Sequence, residues 1–361
     1  MKKILFLTET FPPDLCGVAD YVLMLASNLV EEYEVHIVTR KSDSNSLLLD
    51  KRINLYEILS GKAYIFQAIR TINVIQPDIV DVQLAYSGSG YLHKENLLTL
   101  MNALAILSLT QSTKRCLTIH ELSSFLDDAP SFLRVCYRAI RDYCQTRFYD
   151  YYLCMSRKYL TYLKKAENKL ALLGFSNVPT IRNHNRIENR NLIFFGTIGH
   201  NKKIDSLIQV FRDLNRGNPC FHLTFVGGIV EGFESTFFCL LKSLPRKSWS
   251  YEGRLSGNEL ATVLDRSSYA IFPFLVTDKN TSVLAMLANR LVVIALCESL
   301  PTYAQNGNSF YGLSQLSASV IRGIVSDTLG KTVSYPDSNQ LLSAHLMQRR
   351  EIYERLLTSS A

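Results

Sequence analysis

The stretch Tyr269 to Leu296, YAIFPFLVTDKNTSVLAMLANRLVVIAL, constrains the fold more than any other part of the chain. Its spacing predicts a buried strand over Tyr269 to Pro273, a polar loop over Thr277 to Asn280, a short helix over Thr281 to Asn289 and a second buried strand over Leu291 to Ala295. Two apolar runs joined by a helix make a parallel βαβ unit, which puts the first loop and the helix N-terminus at the carboxyl edge of a sheet. Open α/β sheets bind ligands at that edge. The amides of Thr281, Ser282 and Val283 would face whatever sits there, and the helix dipole favours an anion, so a phosphate site is expected.

The same alternation runs through the whole chain. In the first half, strands are expected over Lys3 to Thr8, Tyr33 to Thr39, Pro77 to Gln83, Arg115 to Ile119, Tyr151 to Met155 and Val178 to Ile181. Helices are expected over Val18 to Glu31, Gly61 to Ile75, Ser131 to Asp150 and Arg157 to Lys169. After the polar run NHNRIENR the pattern restarts, with strands at Asn191 to Phe195, Phe221 to Val226 and Ser248 to Glu252. Helices there cover Lys202 to Arg212, Glu231 to Ser243 and Asn258 to Asp265. Strands alternating with helices imply parallel sheets. With 361 residues, 47% of them hydrophobic, the chain exceeds what one core organises. The expected architecture is therefore α/β: two Rossmann-like doubly wound domains, 1–186 and 187–336, facing a central cleft, with a mixed-charge helix in 337–361 that packs back on the first domain.

Several residues fall at carboxyl edges. In the first domain these are Gly17, opening the first helix, and His120, delivered by the strand RCLTI. In the second they are Gly196 and Thr197 after the strand NLIFF, with Lys202 and Lys203 at the start of the following helix. Lysine there can neutralise a diphosphate in addition to the dipole. Each also has an ordinary reading: a loop glycine, a histidine bonded within a loop, a solvated lysine pair. Segment 131–150 carries Arg134, Arg138, Arg141 and Arg147 among aromatic residues. It is the candidate for an anionic membrane surface, and a solvated helix face with aromatics packed beneath explains it equally well. No RRM, KH or helix-turn-helix pattern accompanies it, so nucleic acid is not an expected partner. The eight cysteines are scattered with no C-x-x-C pair, which suggests neither a metal site nor a disulfide framework. The apolar run in the start MKKILFLTETFPPD is too short for a signal-peptide core, and no stretch has the ~20 apolar residues of a membrane span.

The ordered combination FPPDLCGVADYV, TIHE, FFGTIGHNKKIDSLIQVF, LTFVGG, YEGRLSGNELATVLDRSSYAIFPF and SVLAMLANRLVVIA resembles the GT-B-fold glycosyltransferases, in particular the retaining family 4 type. The resemblance covers nearly the whole chain and departs from the family at defined points. The family's pair of glutamates would fall at Thr277 and Ala285, leaving Asp278 as the carboxylate able to stand in for the first. The glycine and proline before the last strand are replaced by Arg290 and Val292, the arginine after the strand glycine by Thr197, and the first glycine of the opening pair by Cys16. The resemblance implies a metal-independent hexosyltransferase with no cofactor, moving a sugar with retention from a UDP- or GDP-linked nucleotide-sugar to a lipid-linked or oligosaccharide acceptor in surface polysaccharide synthesis. It further implies a cytoplasmic protein, peripheral on the inner face of the membrane. Lys202 and the amides of Thr281 and Ser282 would serve the diphosphate, Asp278 the sugar hydroxyls, and His120 and Gly17 the sugar and acceptor side. The loss of the second carboxylate leaves open a decayed partner subunit of an active transferase. An epimerase or hydrolase on the same scaffold would need a further carboxylate, for which Glu121 is the candidate.

Overall fold

A computed structural model describes residues 1–12, 17–41, 50–58, 63–84, 113–120, 148–161, 163, 166–176, 178, 180, 187–216, 220–255, 257–277, 280–304 and 309–358. The chain divides into two compact units, one formed by Met1–Leu173 with Ala344–Ala361 and the other by Gly174–Ser343. The boundary expected near Arg186 lies outside the described residues, as do Asp278, Glu121 and nearly all of the basic segment 131–150.

The first unit contains the strands β1 (Lys2–Leu7), β2 (Tyr33–Arg40), β3 (Ile53–Ile58), β4 (Ile79–Leu84), β5 (Lys114–Ile119), β6 (Tyr151–Cys154) and β7 (Lys169–Ala171). They form one parallel sheet in the order β3-β2-β1-β4-β5-β6-β7. Its described helices are α1 (Gly17–Leu29), α2 (Ala63–Ile75) and α3 (Arg157–Leu160). One sheet face packs on Ala68, Ile72 and Ile75 of α2 through Val80, Val82, Leu84, Leu117 and Ile119. These alternate along their strands with Asp81, Gln83, Thr118 and His120, which therefore share the other face.

The second unit contains β8 (Asn191–Phe195), α4 (Ile204–Leu214), β9 (His222–Val226), α5 (Glu234–Leu241), β10 (Trp249–Gly253), α6 (Gly257–Asp265), β11 (Tyr269–Leu275), α7 (Thr281–Ala288), β12 (Val292–Leu296), β13 (Phe310–Leu313) and α8 (Ala318–Thr328). Its sheet is also parallel, in the order β10-β9-β8-β11-β12-β13. This is a doubly wound order whose direction reverses between β8 and β11. Helix α4 buries Ile204, Leu207, Ile208, Phe211 and Leu214, an apolar stripe at helical spacing. Helix α7 is buried all round from Val283 to Ala288, which is why that segment reads as an unbroken apolar run. The last helix, α9 (Ser338–Thr358), starts in the second unit and from Ala344 belongs to the first.

Two expectations fail. The helix expected over Arg157 to Lys169 ends at Leu160, and Lys169–Ala171 becomes an edge strand held by Tyr152 N–H to the Asn168 carbonyl (2.9 Å) and Leu172 N–H to the Cys154 carbonyl (2.9 Å). Pairing with β6 outweighs the helical pattern there. Val178 and Thr180, in the expected strand Val178 to Ile181, belong to no strand. Among the described helices, none is long and apolar enough to cross a membrane.

Candidate functional site

In the second unit the loops after β8 and β11 meet where the strand order reverses. After β8 the chain turns through Gly196 at φ +133°, a conformation that side chains rarely adopt, and runs beside the loop after β9. The two loops are joined by Gly196 N–H to the Val226 carbonyl (3.0 Å), Ile198 N–H to the Gly228 carbonyl (2.9 Å) and Val230 N–H to the Ile198 carbonyl (2.9 Å). Gly227, at φ +138°, comes so close that a Cβ on it would stand 2.0 Å from the Gly196 carbonyl oxygen. A Cβ on Gly196 would lie 3.7 Å from the Cβ of Ser282, so the first turn of α7 is the immediate neighbour of this loop.

The N-terminus of α7 carries no side-chain cap from Asn280. The Asn280 carbonyl accepts from the amides of Val283 (3.0 Å) and Leu284 (3.1 Å). The Asn280 side chain, which would ordinarily cap the helix, turns back and accepts from the Thr277 amide (2.6 Å) and hydroxyl (3.2 Å). Among the described residues, the amides of Thr281 and Ser282 have no acceptor. The Tyr303 hydroxyl donates to the Thr277 carbonyl (3.2 Å) and ties the loop down. Across the switch point, Lys202 ends a single 3₁₀ turn, His200–Lys202, and its Nζ lies 4.3 Å from the centre of the Phe274 ring on β11. An ammonium over an aromatic face is held by about 0.5–2 kcal/mol while keeping its charge. Lys203 is exposed and takes the left-handed conformation (φ 49°) as it opens α4, and Thr197 is exposed beside it. Gly196, Thr197, Lys202, Lys203, Thr281 and Ser282 thus share one carboxyl edge, with two unsatisfied amides and two lysines that suit an anion.

In the first unit, Gly17 is the first residue of α1 and His120 follows β5 directly. Tyr21, one turn into α1, packs edge-on against the His120 ring, with centroids 4.7 Å apart, so the two elements are neighbours. Beneath them lies a buried polar network that the sequence reading missed. His120 Nε2 bonds Gln83 Oε1 (2.9 Å), and Gln83 Nε2 donates to Asp81 Oδ1 (2.7 Å). Asp81 also accepts from the hydroxyls of Thr118 (2.7 Å) and Tyr353 (2.6 Å), and it pairs with Arg349 of α9. Arg349 donates in turn to the Tyr21 hydroxyl and to Tyr353 (3.0 Å). Tyr21 reaches His345 Nε2 (3.0 Å), and His345 Nδ1 donates to the Leu173 carbonyl (2.7 Å). Asp81, Thr118, His345, Arg349 and Tyr353 are fully buried. Burial, followed by the Arg349 charge, pushes His345 down to about 3, so it is neutral. Burial likewise pushes the Tyr21 hydroxyl up.

No protein-family model matches the chain, and no curated protein matches it in sequence. Solved structures do match its fold. HepE from Anabaena, in complex with UDP, superposes with a TM-score of 0.72 at 13% identity, over 99% of this chain and 100% of that one. Sucrose-phosphate synthase from Thermosynechococcus elongatus gives 0.70 at 13% identity, over 100% of both chains. A glycosyltransferase from Rickettsia africae gives 0.67 at 14%, over 99% of both. The chain has the GT-B fold. Identities this low speak for the fold alone, and the chemistry has to come from the chain's own residues.

Within this GT-B chain, Ala285, where the resemblance would put a second carboxylate, is fully buried in the middle of α7 and belongs to the core. Arg290 occupies the left-handed position after α7 (φ 59°), which glycine fills most readily. Its amide bonds the Leu287 carbonyl (3.0 Å) and that of Leu291 the Met286 carbonyl (3.0 Å), a complete Schellman end. Two signals in the sequence point to the buried network. Asp81 interrupts an apolar strand, and a charge there requires a partner. Arg349 lies on the inward stripe of α9 with Leu346, Tyr353 and Leu356.

Proposed function

We propose that the chain is a glycosyltransferase that binds the diphosphate of a UDP- or GDP-linked sugar at the β8/β11 switch point and transfers the sugar to an acceptor hydroxyl. The observation that carries this reading is the pair of amides, Thr281 and Ser282, that have no acceptor among the described residues, set against Gly196 on the carboxyl edge that also carries Lys202. Departure of the nucleotide builds negative charge on its diphosphate. Amides and an ammonium already in place stabilise that charge without reorganising, which is what lowers a barrier of this kind. The Anabaena HepE structures, solved with UDP and with UDP and glucose, support a ligand of this class on this fold.

On this reading Lys202 and the α7 amides hold the leaving group, and Asp278 takes the sugar hydroxyls. His120 and the N-terminus of α1 at Gly17 serve the sugar and acceptor side. Transfer retains the anomeric configuration and needs no metal or cofactor. The acceptor is lipid-linked or an oligosaccharide, in surface polysaccharide synthesis on the cytoplasmic side, and the basic segment 131–150 meets an anionic membrane surface. A second reading, a nucleotide-binding partner without transferase activity, is favoured by Ala285, since no carboxylate stands at that position. Release of nucleoside diphosphate from a panel of UDP- and GDP-hexoses, with oligosaccharide and lipid-linked acceptors, separates the two. Acceptor-dependent release with one donor is expected. Tight nucleotide binding without turnover on any pair would select the second reading. Asp278→Asn is expected to lower turnover more than affinity for free nucleotide.

A further inference from the structure

The buried network dictates the hydrogen-bonding state of His120. Asp81 Oδ1 already accepts from Thr118 at 2.7 Å, and a carboxylate beside a buried guanidinium is an acceptor only. The group of Gln83 that lies 2.7 Å from that oxygen must therefore be its NH₂. This fixes the orientation of the amide and leaves the Gln83 carbonyl oxygen facing His120 at 2.9 Å. A carbonyl oxygen cannot donate, so His120 Nε2 carries a hydrogen. In the neutral ring the lone pair is then on Nδ1. The plane of the ring is held as well, because Tyr21, itself bonded to Arg349, packs edge-on against it.

We propose that Gln83 is a positioning residue for His120, fixing the imidazole as the Nε2–H tautomer, with Asp81 setting the orientation of the Gln83 amide and Arg349 holding Asp81. The tautomer itself follows from the first unit alone. Its consequence for transfer rests on the function proposed above: with Nε2–H committed to Gln83, any hydrogen bond that a neutral His120 accepts, one from a sugar or acceptor hydroxyl included, is accepted at Nδ1. Gln83 is buried and makes the bond from the strand next to β5, so it acts through His120 and is not itself a catalytic residue.

The experiment is a long-range ¹H–¹⁵N correlation on the full chain with ¹⁵N-labelled histidine rings at pH 8, His120 being assigned by the loss of its signals in His120→Asn. The expected result is the Nε2–H tautomer in the wild type, retained in Gln83→Glu, which keeps an acceptor, and lost to a mixture in Gln83→Met. An Nδ1–H ring in the wild type, or a tautomer unchanged in Gln83→Met, would overturn the assignment. The wild-type reading needs no variant, so a Gln83→Met that does not fold leaves it decisive. With an active sugar nucleotide, Gln83→Met is expected to lower kcat roughly fivefold to tenfold, the loss of one hydrogen bond, with KM for the donor unchanged. The tautomer is read whether or not the protein binds UDP or GDP, so failure of the functional reading and failure of this assignment are distinguishable.

Discussion

Arg349→Met tests the central packing decision of the first unit. Arg349 and Asp81 are both fully buried, and they join α9 to β4. Methionine fills much of the volume of arginine, so the main loss is electrostatic. Asp81 keeps three neutral donors, Gln83, Thr118 and Tyr353, but loses its only paired cation among the described residues. Removing one partner of a buried pair costs about 3–5 kcal/mol, because a buried charge is left uncompensated. For a unit of this size that lowers Tm by roughly 6–20 °C, at 2–4 °C per kcal/mol. Calorimetry and urea unfolding followed by fluorescence both read it. The double variant Asp81→Leu with Arg349→Met removes both charges and should recover most of the loss, leaving about 1–3 kcal/mol for the polar partners stranded around Leu. An Arg349→Met protein within about 1 kcal/mol of wild type would show that the pair does not bear on stability as argued. A double variant worse than the single would show that charge imbalance is not the cause.

Three further outcomes follow from single positions. Arg290→Gly should stabilise the second unit by about 1 kcal/mol, since the left-handed position after α7 penalises any side chain, and urea midpoints against wild type read this directly. Gly227→Ala should cost at least about 1–3 kcal/mol from its backbone conformation, with the clash against Gly196 adding to it, and should weaken nucleotide binding through the displaced loop. For His345, whose pKa is pushed down from 6.5 to about 3, the unfolded chain binds a proton that the folded protein refuses between those values. Stability therefore falls as pH drops through that window, by about 1.4 kcal/mol per pH unit at the steepest, and His345→Gln should remove this component from urea midpoints measured between pH 4 and 7.

The parallel sheets and most of their strands were legible in the sequence because buried strands such as YAIFPFL and VVIAL are continuous apolar runs. The missed strands sit at sheet edges. In β3 the residues Asn54 to Glu57 are exposed or half-buried, which blurs any pattern, and β13 has only four residues. Helix α8 carries Gly323 and several β-branched residues in its span, a weak helical signal redeemed by burial of Ile321, Ile324 and Val325. At the candidate site, Gly196, Lys202, Thr281 and Ser282 were legible because each stands at a strand end or helix start. Phe274 beneath Lys202 was not, since nothing in a linear pattern pairs residues across a strand-order reversal. The network around Asp81 was hidden for the same reason: Arg349 lies far along the chain and joins Asp81 only through the return of α9 to the first unit.

The anion site at the N-terminus of α7 is the claim on which the account turns, and differential scanning calorimetry with UDP, GDP and the corresponding nucleosides tests it most directly. A diphosphate at a hundred times its Kd should stabilise the protein by about 2.7 kcal/mol. Uridine and guanosine, which lack the charge that Lys202 and the amides of Thr281 and Ser282 would hold, should produce almost no shift, and Lys202→Ala should lose most of the diphosphate's effect. A folded protein that melts at the same temperature with and without either diphosphate would contradict the site, and with it the proposed transferase.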